Sequence, residues 1–443
     1  MKKILVIGAG RSATTLISYL LDNAVSNNWM ITIADYSEDL AKQAVGNSVN
    51  AKAIFFNVTD ERQREEEITI ADIVISMLPA SMHILVAEDC VRLKKNLVTA
   101  SYVSDEVAAL DDKAKQAGVL LLNEIGLDPG IDHMSAMQII DQIKADGGKL
   151  TSFKSFCGGL VHPDYDDNPW NYKFTWNPRN VVLAGQGHSQ YLKKGKYKYI
   201  PYPKLFERTE CINILHVGEF EGYPNRDSLS YRSPYGLEDI PTIFRGTLRK
   251  KGFCKSWNMF VEIGMTDDTY KVENSENLSY REFINLFFPY NTELSIEQKF
   301  CNYLKISQDS DEFKKAEWLG VFAETKIGIK DASPAQILQK ICEDKWTLSA
   351  EDKDMIVMQH QFEYTLDGVN KKLNSSFVVF GDNQRDTAMA KTVGLPVAIA
   401  TKLILNGEIT SVGVKIPTTK DIYIPVLKEL AENGINFVEE EIN

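Results

Sequence analysis

Three side chains in this chain of 443 residues stand where acid–base chemistry would use them. Tyr102 follows the apolar run 96–100, Asp128 sits in Gly126-Leu127-Asp128-Pro129-Gly130 after the run 119–122, and Cys157 ends the alternating stretch 153–157. A phenol can donate a proton or hydrogen-bond a carboxylate, a carboxylate can accept a proton, and a thiol acts when its surroundings favour the thiolate. Each also has an ordinary role. Asp-Pro-Gly is a common turn, tyrosines at strand ends pack, and strand cysteines are mostly buried. His133, at an expected helix start, has capping or core packing as its default. The arginines differ in kind: Arg226 in Gly222-Tyr223-Pro224-Asn225-Arg226-Asp227-Ser228, and Arg245 and Arg249 in Phe244-Arg245-Gly246-Thr247-Leu248-Arg249, join guanidinium to turn residues and hydroxyls. That is equipment for gripping carboxylates through paired hydrogen bonds, although a surface position is the usual alternative.

These candidates need a frame, and the first thirty-five residues supply it. Residues 3–7 are a short apolar strand, followed at once by Gly8-Ala9-Gly10-Arg11-Ser12-Ala13 in the G-x-G-x-x-G/A pattern. Gly8 permits the tight turn, Gly10 admits a pyrophosphate to the backbone, and Ala13 lets helix and strand sit close. Leu16, Ile17, Leu20 and Leu21 give the following helix an apolar face. Residues 30–34 form a second strand with Asp35 at its end, where a carboxylate would bind the adenosine ribose hydroxyls. A carboxylate there repels a 2′-phosphate, so NAD is expected over NADP.

Strands at 53–56, 72–76, 96–100 and 119–122 continue the alternation, with helices between most of them. The fold class is therefore α/β, a Rossmann-type doubly wound parallel sheet, with an α+β second domain carrying a helical insertion. Ligands in such sheets sit beyond the carboxyl ends of the strands. This directs attention to Asn57-Val58, Met77-Leu78-Pro79, Ser101-Tyr102 and residues 124–128. From Lys149 the pattern changes to alternating strands and aromatic, Asn/Asp/Pro-rich loops, with further strands expected at 212–217, 245–253, 260–265, 357–362 and 375–380. Residues 279–322 recur at helical spacing. Two helical pieces around Gly394-Leu395-Pro396 and a helix at 424–432 close the chain. The expected division is 1–130 with 386–443 for the dinucleotide domain, 131–278 with 330–385 for the substrate domain, and 279–329 for the insertion.

Composition bounds the class. An apolar fraction of 44%, a charged fraction of 25% and a net charge of -12 fit an ordinary globular protein and argue against a nucleic-acid partner. No segment reads as a membrane span or signal peptide. The six cysteines lack CxxC spacing, so neither a metal site nor a disulfide framework is expected, and a cytoplasmic location with reduced thiols follows.

The chain resembles the glutamate-forming saccharopine dehydrogenase and saccharopine reductase family from the glycine turn to the last helix. The resemblance is carried by residues 97–102, 126–133, 156–160, 168–169, 172–176, 221–228, 245–249 and 388–396. It implies an oxidoreductase of CH–NH donors in lysine metabolism that interconverts saccharopine with L-glutamate and α-aminoadipate semialdehyde. It further implies that Tyr102, Asp128 and Cys157 handle protons, and that Ser101, Tyr102, Leu127, Asp128, Arg226, Arg245, Gly246 and Thr247 hold the substrate. Gly8, Gly10, Arg11, Ser12, Ala13, Asp35, Asn57, Val58, Leu78, Pro79, Ser101 and Trp176 would hold the dinucleotide. A homodimer acting on a small amino acid is implied as well. Asp35 departs from NADPH-using relatives, which carry a basic or neutral residue there, and Asn57 stands where relatives often have an aspartate. Two other readings stay open: a carboxynorspermidine dehydrogenase of polyamine synthesis, and a non-catalytic NAD-binding regulatory subunit.

Overall fold

Apolar strands and helices alternate along the first part of the chain. In order they are β1 (Lys2–Ile7), α1 (Thr14–Asp22), β2 (Trp29–Asp35), α2 (Glu38–Val45), β3 (Ala51–Phe55), α3 (Glu61–Ile70), β4 (Ile73–Ser76), α4 (His83–Arg92), β5 (Asn96–Val98), α5 (Asp105–Ala108), α6 (Asp111–Ala117), β6 (Leu120–Leu122) and α7 (Ile131–Ala145). Then come β7 (Lys149–Val161), α8 (Pro178–Val182), β8 (Ser189–Lys193), β9 (Lys196–Ile200), β10 (Glu210–Ile214), β11 (Gly218–Pro224), β12 (Thr242–Lys250), α9 (Phe253–Ile263), α10 (Tyr280–Asn285), α11 (Ile296–Leu304), α12 (Asp311–Leu319) and α13 (Pro334–Trp346). The chain ends with β13 (Asp354–Leu366), β14 (Val369–Phe380), α14 (Ala388–Leu405), β15 (Gly413–Lys415), α15 (Lys420–Glu432) and β16 (Val438–Ile442). This computed structural model describes residues 1–184, 186–214 and 217–442. Contacts divide them into one unit of Met1–Leu150, Tyr364–Lys371 and Phe377–Glu440, and another built mainly from Thr151–Glu363.

The first unit holds a seven-stranded sheet in the order β15-β6-β5-β4-β1-β2-β3, all parallel. Parallel strands are buried on both faces, and Leu5, Ile7, Val74, Leu97 and Leu121 accordingly join one core. The strand order reverses between β1 and β4, so the ligand-binding crevice of this fold class lies beyond Ile7 and Ser76. α14 packs on α1, and a Cβ at Gly394 would meet the Leu16 backbone N at 2.8 Å. The structure joins the two expected helical pieces into this one helix, with Pro396 inside it. At 18 residues α14 is long and apolar enough to cross a membrane by length and composition alone, contrary to the sequence reading; 72% of it is buried inside the protein.

In the second unit β12 pairs with β11 antiparallel and with β7 parallel, within a sheet running β10-β11-β12-β7-β13-β14-β16 that β8 and β9 extend from β12. Trp170, Tyr172, Phe253, Trp257, Phe260 and Trp346 pack ring against ring, with most centroids 5–6 Å apart. Residues 260–265, expected as a strand, instead finish α9 and turn at Gly264, because so short an apolar run carries no period that separates helix from strand. The strand expected at 212–217 falls partly on Leu215 and His216, which lie outside the described residues.

Candidate active site

At the end of β1, Gly8 takes φ +105°, and a Cβ there would lie 2.9 Å from the Met77 carbonyl oxygen. Its N–H donates to Ala34 O (2.8 Å), fastening the turn to β2. Nothing comes within 4 Å of a Cβ built on Gly10, so the backbone there is open to a ligand. The next turn, Arg11–Ala13, has no side-chain cap at Gly10, and Ala13 is buried against the fold. An open glycine backbone leading into an uncapped helical turn is what a dinucleotide pyrophosphate requires, so these residues fit one. A cavity of about 440 Å³ beside this turn is lined by Ala9, Gly10, Arg11, Thr14, Leu40 and Arg385, among others.

Both carboxylate oxygens of Asp35 are engaged by the backbone. Ala9 N–H donates to Oδ2 (2.7 Å) and Ser37 N–H to Oδ1 (2.8 Å). Asn57 Oδ1 likewise accepts from the Thr59 N–H and hydroxyl, while Val58 is buried and Leu78 half-buried with Pro79 exposed beside it.

Beyond β5 and β6 the structure brings Tyr102 and Asp128 together. The Tyr102 hydroxyl donates to Asp128 Oδ1 at 3.4 Å, and the tyrosine is 43% exposed. Asp128 stands at the tip of a knotted turn: Gly126 N–H donates to Pro129 O (3.0 Å), and Gly130, at φ +144°, lies so close that a Cβ would sit 2.1 Å from Gly126 O. Leu127 is buried beneath it. The loop carrying Tyr102 is held from two sides. Ser101 Oγ bonds His83 Nε2 (2.7 Å), and Val103 N–H donates to Glu124 Oε1 (3.0 Å). Glu124 Oε2 in turn meets buried His133 Nε2 at 2.8 Å.

In the second unit, strand register places Thr247 of β12 beside Cys157 of β7 and Tyr223 of β11. Side chains alternate along a strand, so Arg245, Thr247 and Arg249 share the face that also carries Cys157 and Tyr223. Arg245 is 5% exposed, with its guanidinium 4.0 Å from the Tyr231 ring centroid. Gly246 belongs to the opposite face, where a Cβ would lie 2.8 Å from the Phe156 ring. Arg226 is exposed at φ +38° and, among the described residues, has no carboxylate partner. Arg249 is buried with its guanidinium 4.9 Å from the Tyr172 ring centroid and 5.8 Å from that of Tyr223, so aromatic faces stand in for a carboxylate. Burial pushes the Tyr172 and Tyr223 hydroxyls up, against the pull of Arg249. Trp176 is 36% exposed. Among the described residues no cluster of His, Cys, Asp and Glu could hold a metal ion.

The saccharopine dehydrogenase NADP binding domain family matches residues 4–122, and the saccharopine dehydrogenase C-terminal domain family matches residues 126–435. The chain belongs to the saccharopine dehydrogenase family. It is 33% identical over 445 residues to the saccharopine dehydrogenase (NADP+, L-glutamate-forming) of Pyricularia oryzae, covering 97% of each protein. It is also 33% identical to that of Saccharomyces cerevisiae, covering all of this chain and 99% of the yeast protein. Against the rat mitochondrial α-aminoadipic semialdehyde synthase it is 35% identical but spans 47% of that protein, about half its length. Apo saccharopine dehydrogenase (L-Glu forming) from Saccharomyces cerevisiae matches its fold with a TM-score of 0.91 at 32% identity, over the whole of both chains.

The matched domain family and the fungal saccharopine dehydrogenases are named for NADP, which overturns the expectation of NAD drawn from Asp35. The geometry supplies a physical reason. A carboxylate that accepts two backbone N–H bonds braces the glycine turn and the start of α2, so its presence at the end of β2 has a structural cause apart from the choice of dinucleotide. His83 is a further residue of this site that spacing did not single out, a histidine opening the helix after β4 being the one available sign, whereas Glu124 lies in the strand-end stretch 124–128 that the sequence already pointed to.

Proposed function

We propose that the chain is a saccharopine dehydrogenase, L-glutamate-forming, that uses NADP. The observation that carries this reading is the full-length likeness to enzymes of that name, at 32–33% identity over 97–100% of their length. NADP, when bound, would supply the hydride acceptor for oxidation of the semialdehyde-side carbon next to the secondary amine of saccharopine, which leaves an imine there. Water then adds to the resulting imine and splits it into glutamate and α-aminoadipate semialdehyde.

The residues present suit the remaining work. The substrate bears three carboxylates, and Arg226 and Arg245, with the Thr247 hydroxyl on the same strand face as Arg245, offer charge-assisted hydrogen bonds to such groups. Gly8, Gly10 and Arg11 to Ala13 would hold the pyrophosphate. Addition of water to an imine and collapse of the carbinolamine both move protons, a task for a carboxylate and a phenol in mutual reach, as Asp128 and Tyr102 are. Cys157, 7% exposed, serves as a further group on the substrate face.

The test is NADPH formation followed at 340 nm with saccharopine and NADP. Turnover is expected, with glutamate as a product. No turnover with saccharopine, or turnover only with carboxynorspermidine, overturns the substrate assignment; turnover confined to NAD overturns the cofactor.

A further inference from the structure

The carboxyl ends of β4 and β5 are bridged by one buried imidazole. His83 opens α4 and is 5% exposed; its Nδ1 lies 2.8 Å from Ser76 Oγ at the end of β4, and its Nε2 lies 2.7 Å from Ser101 Oγ just past β5. Ser76 is fully buried, whereas Ser101 is half-buried and immediately precedes Tyr102. The chain of contacts thus runs from the interior of the sheet to the edge where ligands of this fold bind.

A serine and a histidine at 2.7 Å also resemble a nucleophile with its base, and the environment argues against that role. Burial pushes the His83 imidazole down to about 4, so it is neutral and weakly basic at working pH. A neutral imidazole carries one N–H and one lone pair; either can hold a serine hydroxyl, which both donates and accepts, and the Leu78 backbone bonds the same ring. It therefore holds a hydroxyl in one orientation more effectively than it removes its proton.

We propose that His83 is a positioning residue that acts through Ser101: it fixes the direction of the Ser101 hydroxyl, and with it the start of the loop bearing Tyr102, toward the bound ligand. The second fastening of the same loop, Val103 N–H on Glu124, is independent of His83, so loss of the imidazole frees the hydroxyl without releasing the backbone. This inference rests on the proposed function for the identity of the ligands and on geometry for the coupling.

The experiment is a double-mutant cycle on the full chain, with His83→Phe, Ser101→Ala, the double variant and His83→Gln. Readouts are the NADP dissociation constant by calorimetry, the saccharopine KM and kcat, and the thermal midpoint. Whichever of the two affinities Ser101→Ala weakens, His83→Phe weakens as well, by about five- to ten-fold, the scale of one hydrogen bond. In the Ser101→Ala background the His83→Phe change adds less than two-fold, and His83→Gln, whose amide reaches the Nε2 position, restores most of the loss. Additive losses, a fall in thermal midpoint with unchanged affinities, or a Ser101→Ala variant with wild-type affinity for both ligands would each overturn the proposal. If wild-type protein binds NADP but does not turn over saccharopine, the functional reading fails while the NADP cycle still decides the role of His83. If wild-type protein binds neither, both fail.

Discussion

Replacing Asp35 separates two jobs that a carboxylate at the end of β2 can do. If it braces the backbone, Asp35→Ala removes two hydrogen bonds from backbone N–H groups, at 2.7 Å from Ala9 and 2.8 Å from Ser37. Bonds to a charged acceptor contribute about 1.5–3 kcal/mol each, and this site is half-buried, so the lower end applies and the loss is about 3 kcal/mol. Asp35→Asn keeps one accepting oxygen and turns an N–H₂ toward the other donor, a loss of about 1.5 kcal/mol or somewhat more. Because Ala9 lies inside the glycine turn, the Ala variant should also bind NADP about ten-fold more weakly, the effect of one misplaced bond to phosphate. Equilibrium unfolding in urea and calorimetric titration with NADP measure the two effects. The opposite pattern, unchanged stability with tighter NADP binding, would show that the carboxylate acts as a charge gate, and the brace would be refuted.

Arg226→Ala should raise the saccharopine KM about ten- to a hundred-fold with little change in kcat, since a carboxylate grip contributes alike to ground and transition states; steady-state kinetics decide, and a collapse of kcat at constant KM contradicts the role. Gly130→Ala should yield little folded protein, because its Cβ would sit 2.1 Å from Gly126 O at φ +144°; a thermal midpoint within a few degrees of wild type would show that the knotted turn relaxes. Lys173 bridges Asp167 and buried Asp352, each at 2.9 Å, and Lys173→Met should destabilise by about 3 kcal/mol by leaving the Asp352 carboxylate with the Ser349 N–H but no cation, as read by urea unfolding. Burial alone would push Asp352 up, but Lys173 and the Ser349 N–H outweigh it and hold it below the usual carboxylate value. Its contribution is therefore present above the unfolded-state value near 4 and is lost as pH falls through the lower folded value; acid unfolding of Lys173→Met should lose the share that Lys173 supplies and keep that of Ser349.

Much of the first unit was legible because its signals are local. Ile4 to Ile7 are apolar in succession, as a strand buried on both faces must be, and the glycines follow directly, so strand, turn and helix read out from adjacent residues. What failed there depended on distant partners. β15 is three residues whose only strand evidence is pairing with β6. α14 runs through Pro396 because its surroundings hold it: Gly394 lets it approach the Leu16 backbone, and most of its residues are buried. A proline signals a break only when packing does not compensate. In the second unit, 260–265 looked like a strand because apolar side chains satisfy a sheet face and a buried helix equally, and only the ring contacts of Phe260 with Trp170 and Trp257 distinguish them.

The candidate site divides along the same line. The spacing brought Tyr102 and Asp128 to attention because residues past strand ends are where this fold exposes chemistry, and the structure finds the two within hydrogen-bond reach. Their supports carry no local signature: Ser101 and His83 are 18 residues apart, Val103 and Glu124 are 21 apart, and neither pair forms without the parallel alignment of β4, β5 and β6. Asp35 is the converse case, a residue whose position was read correctly and whose consequence was not. A ribose ligand and a backbone brace both demand a carboxylate at the end of β2, so its presence cannot distinguish them, and only the donors at 2.7 and 2.8 Å reveal the brace. For a polar residue at a strand end, then, the sequence supplies the inventory of groups, and the choice among their possible partners is made by the tertiary fold.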